Sequence, residues 1–600
     1  MSDVAVPVVR CDLPGKTLSG TYLQRASEFL SYLLLLGGLA TVAAAIYLVV
    51  DSYMRAPSFD LWAFVDYWSR RPIPLLSWLW LQHNEHRVLV PKLFLLLDYR
   101  AFRGEDIFPL AVIQLVQLAL AVTLLSVLRR WEKVGGNEWR TAAGMALFCC
   151  FCTAQYPNFI CGFQLAFILV GFFVAVAVAL LLLSRESNDA GCREWKRISL
   201  AMLAAMAATY SAANGVLVWP ILLAVAILQR SRRVIVAVVA FTAGLTLTSY
   251  FYHHASLYSG SLFPVHHPVG NLTYIAAYLG APWSSAHHLG VAVLFGATAI
   301  AGAALVVPLV LARPERKPSL LLFSAMLVFT IGSAAMTSLG RLPLGVRQAF
   351  SERYQTISLL FWLVLGLVLI LFVRRSRVRL LALQTLLLVI MLVASIRVRS
   401  AFSSALSTAL SVNTGSLALI TGVHDPAGLS MLFLDPNIPW ADMPVLKLHH
   451  VSVFATRLSS NLRKPVQSVY RMRKQGCWGA VNQVTPIPMG RYEGIRAGGW
   501  AWDPVRRRGV GRIVFVARGN IVGFAETGYL RSDIKNRVGA RSAEYAGWEG
   551  YVEPLPARTT ILLYAVANWS GSEVCRVDHA ATAGLATSTP VQFSVNGILN

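Results

Sequence analysis

Two carboxylates and several cations stand inside sequence that is otherwise apolar. His83, Asn84, Glu85, His86 and Arg87 run together in "LQHNEHRVLVPK" (81–92), which ends on Lys92. Asp60 precedes them in "PSFDLW" (57–62), and Asp66 follows it on the same segment. A carboxylate partly withdrawn from water has its pKa pushed up, toward the range useful for taking a proton from a hydroxyl. Asp60 and Glu85 are therefore candidate bases, with a solvated loop acid or a helix cap as the plain alternative. "SERYQT" (351–356) supplies Glu352, Arg353 and Tyr354, and Arg347 lies just before it. The planar fork of an arginine suits a phosphate, or else a simple interfacial anchor. Gln155, Asn158 and Gln164 in "QYPNFICGFQ" and Asn214 in "YSAANG" offer neutral donors and acceptors, or helix caps and a tight turn.

Spanning helices must position these groups. Of the 600 residues, 56% are hydrophobic and only 14% are Asp, Glu, Lys or Arg, against about 25% in a soluble protein. Mean hydropathy is +0.57. Eleven apolar runs are expected to span, at about 29–50, 107–128, 141–155, 164–183, 198–213, 215–229, 234–252, 289–312, 318–339, 356–373 and 379–397. Residues 1–27 are polar, and 29–50 is long enough to be expected to remain as an anchor and not be cleaved.

The loops orient the chain. "RRWEKVGGNEWR", "SRESNDAGCREWKR", "RSRR", "RPERK" and "RRSRVR" fall on one side, while 156–163, 211–216 and 253–288 hold no Lys or Arg. The positive-inside rule then predicts a cytoplasmic N-terminus and an outer C-terminus. Many of the Lys and Arg behind the net charge of +24 sit at helix ends in this way, so nucleic acid is not an expected partner. Two outer segments break the rule. Residues 51–106 carry Arg55, Arg70, Arg71, Arg87, Lys92, Arg100 and Arg103, and 340–355 carry Arg341, Arg347 and Arg353. Binding an anionic group is one reason for cations there. "FDLWAFVDYW", "IPLLSWLWLQ" and "VLVPKLFLLLDYRAF" are too short to span and read as helices lying in the interface.

Residues 398–476 read as a mixed connector. Residues 477–600, with alternating runs such as "RIVFVARG" and "TTILLYAVAN", read as an all-β, sandwich-like domain. Trp500, Trp502 and Trp548 are expected in its core, with a sugar-stacking surface as the alternative. Cys149, Cys150, Cys152 and Cys161 read as inert packing. Cys477 and Cys575 could pair if the domain lies outside the cytoplasm. His253, His254, His266, His267, His287 and His288 form three adjacent pairs without a ligand spacing, which argues against a metal site. No nucleotide-binding or hydrolase fingerprint stands in a fitting context.

This combination resembles the GT-C superfamily of membrane glycosyltransferases, in a bacterial group with segments like those here at 60–62, 83–92, 162–164, 213–220 and 353–362. The resemblance covers roughly 50–365. It implies a mostly α polytopic membrane protein of the bacterial inner membrane, with an outer-face site using a sugar on a polyprenyl phosphate. The partners it implies are that donor, a glycan or lipid acceptor, and membrane lipids. Asp60 or Glu85 would be the base of an inverting transfer. Arg87 and Arg353, with Lys92 and Arg347, would hold the donor phosphate. His83, Asn84, His86, Gln164, Asn214, Glu352 and Tyr354 would line the substrate site. Leu61 follows Asp60, so there is no acidic pair to hold a metal. No cofactor is expected, with a divalent ion as the alternative. A transporter or flippase of a lipid-linked anion is the second functional class. An outer-face acyl- or phosphotransferase, the third, lacks a convincing nucleophile.

Overall fold

A computed structural model describes residues 15–70, 73–185, 191–255, 267–312, 318–567, 571–579, 590–594 and 597–598. Arg71, His266 and the "RPERK" segment lie outside the described residues. Each of the eleven apolar runs folds as helix. Eight of the described helices are long and apolar enough to cross a membrane: Thr21–Asp51, Ile107–Glu132, Gly162–Ser184, Arg233–Phe251, Ala286–Pro308, Pro318–Leu344, Glu352–Val373 and Arg377–Thr421. The other three runs fold as Gly136–Phe151, Cys192–Thr209 and Val218–Leu228. The first two open on polar turns, "GNEWR" and "CREWKR", and the third is only 11 residues long.

Polar contacts gather the helix ends into two rims. At one rim Glu132 accepts from Arg374 at 2.8 Å and from Ser319 at 2.5 Å, Arg232 pairs with Glu194, and Arg185 donates to the Gln229 carbonyl. At the other, Gly162 N–H donates to Asp106 at 2.9 Å, Asn158 to the Arg353 carbonyl at 3.1 Å, and Arg397 to the Ser284 carbonyl at 2.9 Å. The three shorter helices run between the same rims. Helix Gly136–Phe151, for example, begins with Asn137 donating to Ser27 and leads to Gln155, which accepts from Thr356. Of the Lys- and Arg-rich loops, the described residues Arg185, Arg232 and Arg374 stand at the first rim.

The first long loop leaves the second rim. It forms three short helices, α1 (Leu61–Arg70), α2 (Leu75–Trp80) and α3 (Leu89–Ala101), where the aromatic stretches stand. Trp62 and Trp78 are buried in a cluster that also takes Val412 and Leu417 of helix Val398–Thr421, and Val514, Phe524 and Tyr551 of the β-domain. Val412, Leu417 and other apolar residues of the connector 398–476 thus pack into a junction with the first loop and the β-domain. Arg55 adds a bidentate pair to Glu526 at 2.7 and 3.0 Å. Burial pushes the Glu526 carboxyl up, but Arg512 and Arg55 overcome it and hold the group at about 2.

The β-domain runs from β1 (Arg471–Met489) through β2 (Tyr492–Asp503), β3 (Arg508–Gly509), β4 (Ile513–Ala517), β5 (Asn520–Tyr529), β6 (Gly547–Leu555), β7 (Thr560–Val566), β8 (Glu573–His579) and β9 (Gln592–Ser594) to β10 (Gly597–Ile598). Its strands pair in the order β7-β4-β5-β6-β2-β1-β8, and β8 pairs back onto β7. The sheet therefore closes on itself, which corrects the sandwich expected from the alternating runs. Closure leaves no open edge along this ring. Trp500, Trp502 and Trp548 are each 2% exposed, so they are core and not a stacking surface.

Cys477 on β1 and Cys575 on β8 form a disulfide with Cα atoms 5.6 Å apart and a sequence separation of 98. A loop of that length restricts the unfolded chain strongly. We expect Cys575→Ser to cost about 4–5 kcal/mol of β-domain stability, read as a lower thermal midpoint that wild-type protein reaches on reduction.

Candidate functional site

The polar motif is a tight turn between α2 and α3. His83 N–H donates to the His86 carbonyl at 2.8 Å, and His86 N–H returns the bond at 2.9 Å. Asn84 takes the turn at φ +48°, a left-handed conformation that Asn tolerates better than most residues. Its backbone makes the turn, and its exposed side chain faces an open cavity that Leu79 and Trp80 also line.

Arg87 and Lys92 are also placed differently from the sequence expectation. Arg87 is 4% exposed and donates from Nε to the Tyr250 carbonyl and from Nη1 to Trp80, both at 2.6 Å. Its Nη2 donates to the Tyr252 carbonyl. Lys92, 6% exposed, donates to the Trp78 carbonyl at 2.9 Å and to Leu81 at 2.6 Å. Burial, with Arg87 nearby, pushes the Lys92 ammonium down to about 8. Three of these acceptors lie at the C-terminal end of α2, where carbonyls lack helical partners and cations are favoured. Both cations brace the turn, with three of the five Arg87 N–H donors and two of the three on Lys92 given to these carbonyls.

Braced in this way, the turn separates two cavities. On one side is an open, mostly apolar cavity of about 1010 Å³, whose walls include Leu76, Leu79, Trp80, Leu89 and Tyr252. On the other is a cavity of about 170 Å³ whose lining includes Glu85, His86, Asn214, Arg341, Arg353 and Tyr354. Glu85 Oε2 accepts from Arg341 Nη2 at 3.0 Å. Among the described residues, Glu85 Oε1 is buried without a hydrogen-bond partner. Arg353 is exposed at the rim, with Nε on Ser351 Oγ at 3.1 Å and its guanidinium 5.9 Å from the Tyr354 ring centroid. Asn214 donates to Ser333 at 3.1 Å.

His86 Nδ1 accepts from the Ala213 N–H at 3.0 Å, so the proton of the neutral ring belongs on Nε2. Burial, then the charges of His83, Arg341 and Arg353, push this imidazole down to about 4. It is neutral at physiological pH and can donate without carrying charge.

Asp60 stands beside the turn, its Oδ2 3.9 Å from His83 Nε2. His83 holds the carboxyl below the usual carboxylate range against the effect of burial, and Arg353 and His86 add to this. The raised value expected from partial desolvation is reversed, because the hydrogen bond from His83, and after it nearby positive charge, outweighs burial. Its lowered pKa makes Asp60 a poorer proton acceptor than its sequence setting suggests.

The remaining candidates sit apart. Gln164 ends a 3-10 turn before helix Leu165–Ser184, with its Oε1 buried and unpartnered. Arg347 and Glu352 are exposed, and neither lines the smaller cavity. Arg341, the direct partner of Glu85, escaped the sequence reading as a site residue. Its only signal was its place among the cations of an outer loop. Among the described residues, no group of three or more His, Cys, Asp or Glu could hold a metal ion.

Compared with protein-family models, curated proteins and solved structures, the chain matches none.

Proposed function

We propose that this protein is a membrane glycosyltransferase of the GT-C type, moving a sugar from a polyprenyl-phosphate donor to a glycan or lipid acceptor. The observation that carries this is the pair of cavities divided by the 83–86 turn. An apolar, open cavity suits a prenyl chain, and the polar one beside it holds a carboxylate between two arginines. Glu85 Oε1 accepts the proton of the acceptor hydroxyl as its oxygen attacks the anomeric carbon. The bond from that carbon to the phosphate oxygen breaks, and the charge passes to the departing phosphate. Arg353, with Arg341, meets that charge. A single base opposite a departing phosphate inverts the anomeric carbon. His86 Nε2–H, Asn214 and Tyr354 hold sugar or acceptor hydroxyls, and Asp60 with His83 orients the turn.

We place the chain in the bacterial inner membrane with eleven crossings, a cytoplasmic N-terminus and a periplasmic or extracellular C-terminal domain. The Lys- and Arg-rich rim supports that orientation. The disulfide in the β-domain supports it too, since disulfides persist in oxidising compartments. A flippase would need ionisable groups along its helix interiors. The buried polar groups between helices here, such as Gln117, Gln155 and Thr356, are neutral and bonded to one another.

The test is transfer in proteoliposomes from a panel of polyprenyl-phosphate sugars, with the anomeric configuration of the product read by NMR. Inverted product supports the proposal. Retained configuration, or translocation of donor without product, contradicts it. In the same assay Asp60→Asn is expected to lower transfer roughly tenfold, a rise of about 1.4 kcal/mol in the barrier, since it disturbs the turn without removing the base.

A further inference from the structure

Two further cavities lie at the junction of the first loop, the 398–476 segment and the β-domain, and neither shares a lining residue with the Glu85 cavity. One, of about 390 Å³, has Arg55, Arg457 and Arg512 in its walls, with Thr456, Asn461 and Ser572. The other, of about 430 Å³, has Arg508 and Arg512. They share Tyr470, Arg512 and Gly571, so together they form one elongated trough. Among the described residues, no Asp or Glu lines either cavity. Glu526 balances part of this charge, with Arg55 Nη1 at 2.7 Å and Arg512 Nε at 3.3 Å from its Oε1. Arg457 is exposed, and its guanidinium has no hydrogen bond or ion pair among the described residues. Arg508 spends one nitrogen on the Ala567 carbonyl at 3.0 Å.

Arg55, Arg457 and Arg512 along one concave surface, with one carboxylate between two of them, leave an excess of positive charge. Such an arrangement is costly unless an anion covers it, and a concave wall strengthens the field it presents. The neutral lining is an amide and hydroxyls, which suit sugar hydroxyls. The aliphatic side chains of the trough, Leu458, Val469, Val510, Val566 and Ala567, are divided between its two halves.

We propose that this trough binds an acidic saccharide chain, with Arg457 taking a charged group and Thr456, Asn461 and Ser572 taking hydroxyls. The site stands independently of the transferase assignment.

The test is calorimetric titration of the full-length protein in a zwitterionic detergent, with tetragalacturonate as probe. Neutral galactotetraose, inorganic phosphate and vesicles of anionic phospholipid are the comparisons. We expect tetragalacturonate to bind, and the neutral tetrasaccharide and phosphate to bind at least tenfold more weakly. Arg457→Ala should raise the Kd roughly tenfold, the loss of one charge-assisted hydrogen bond. Arg491→Ala, an exposed arginine of the β1–β2 hairpin that does not line the trough, should leave it unchanged. Arg457 is exposed and forms no pair, so its variant should fold, which the thermal midpoint checks. The proposal is overturned if Arg457→Ala binds as wild type, if Arg491→Ala weakens binding equally, if phosphate binds as well as the acidic saccharide, or if only the vesicles bind in an Arg457-dependent way.

Discussion

Glu85→Gln is expected to lower the turnover rate by roughly 10²–10⁴-fold, the usual contribution of a positioned general base. The amide keeps the size of the side chain and can still accept a hydrogen bond from Arg341. It cannot take a proton from an attacking hydroxyl. The cavity should keep its shape, so the KM for the donor should change far less than kcat. Stability should fall by only about 0–1 kcal/mol, because the Glu85–Arg341 pair is about one-quarter exposed on both sides and water screens it. A large loss of activity with an unchanged thermal midpoint separates removal of the base from unfolding. Wild-type turnover in Glu85→Gln would remove Glu85 from the base role.

Arg353→Ala is expected to reduce kcat by about 10²–10³-fold, the scale seen when one preorganised donor to a developing charge is removed. Arg353 is exposed at the cavity rim and its Nε–Ser351 contact is local, so folding should be unaffected. Arg353→Lys should restore only part of the rate, since an ammonium keeps the charge but not the fork. Arg87→Ala should behave differently. It would leave the carbonyls of Trp80, Tyr250 and Tyr252 without this donor, so its effect should show first in stability. Measuring rate and thermal midpoint for both arginines distinguishes the one that meets phosphate from the one that braces the turn.

Much of this architecture was legible in local sequence. The three short helices of the first loop fall where aromatic-rich stretches too short to span predict them, and the 83–86 turn stands where a polar run interrupts apolar sequence. What escaped the reading is set by distant contacts. Arg341 meets Glu85 across 256 residues of sequence, and no local pattern records that meeting. Arg87 and Lys92 looked like phosphate ligands because their charge was visible and the carbonyls that engage them were not. Any residue can supply a carbonyl, so such partners leave no signature. The fall in the Asp60 pKa has the same origin, since burial was foreseeable and the facing of His83 was not. In the β-domain the alternation identified strands, but only the β7–β8 pairing turns a sheet into a ring. The segment 398–476 looked like a linker because its apolar residues are interspersed with Pro, Asp and His. They become core only when α1 and the sheet close over them.

The most direct test is mass spectrometry of an acceptor extract from the cell envelope, incubated with polyprenyl-phosphate sugars and proteoliposomes carrying either wild type or Glu85→Gln. The account predicts acceptors heavier by one sugar residue with wild type, and no such product above background with Glu85→Gln. Equal product from both proteins, or donor crossing the bilayer with no acceptor gaining mass, would contradict it.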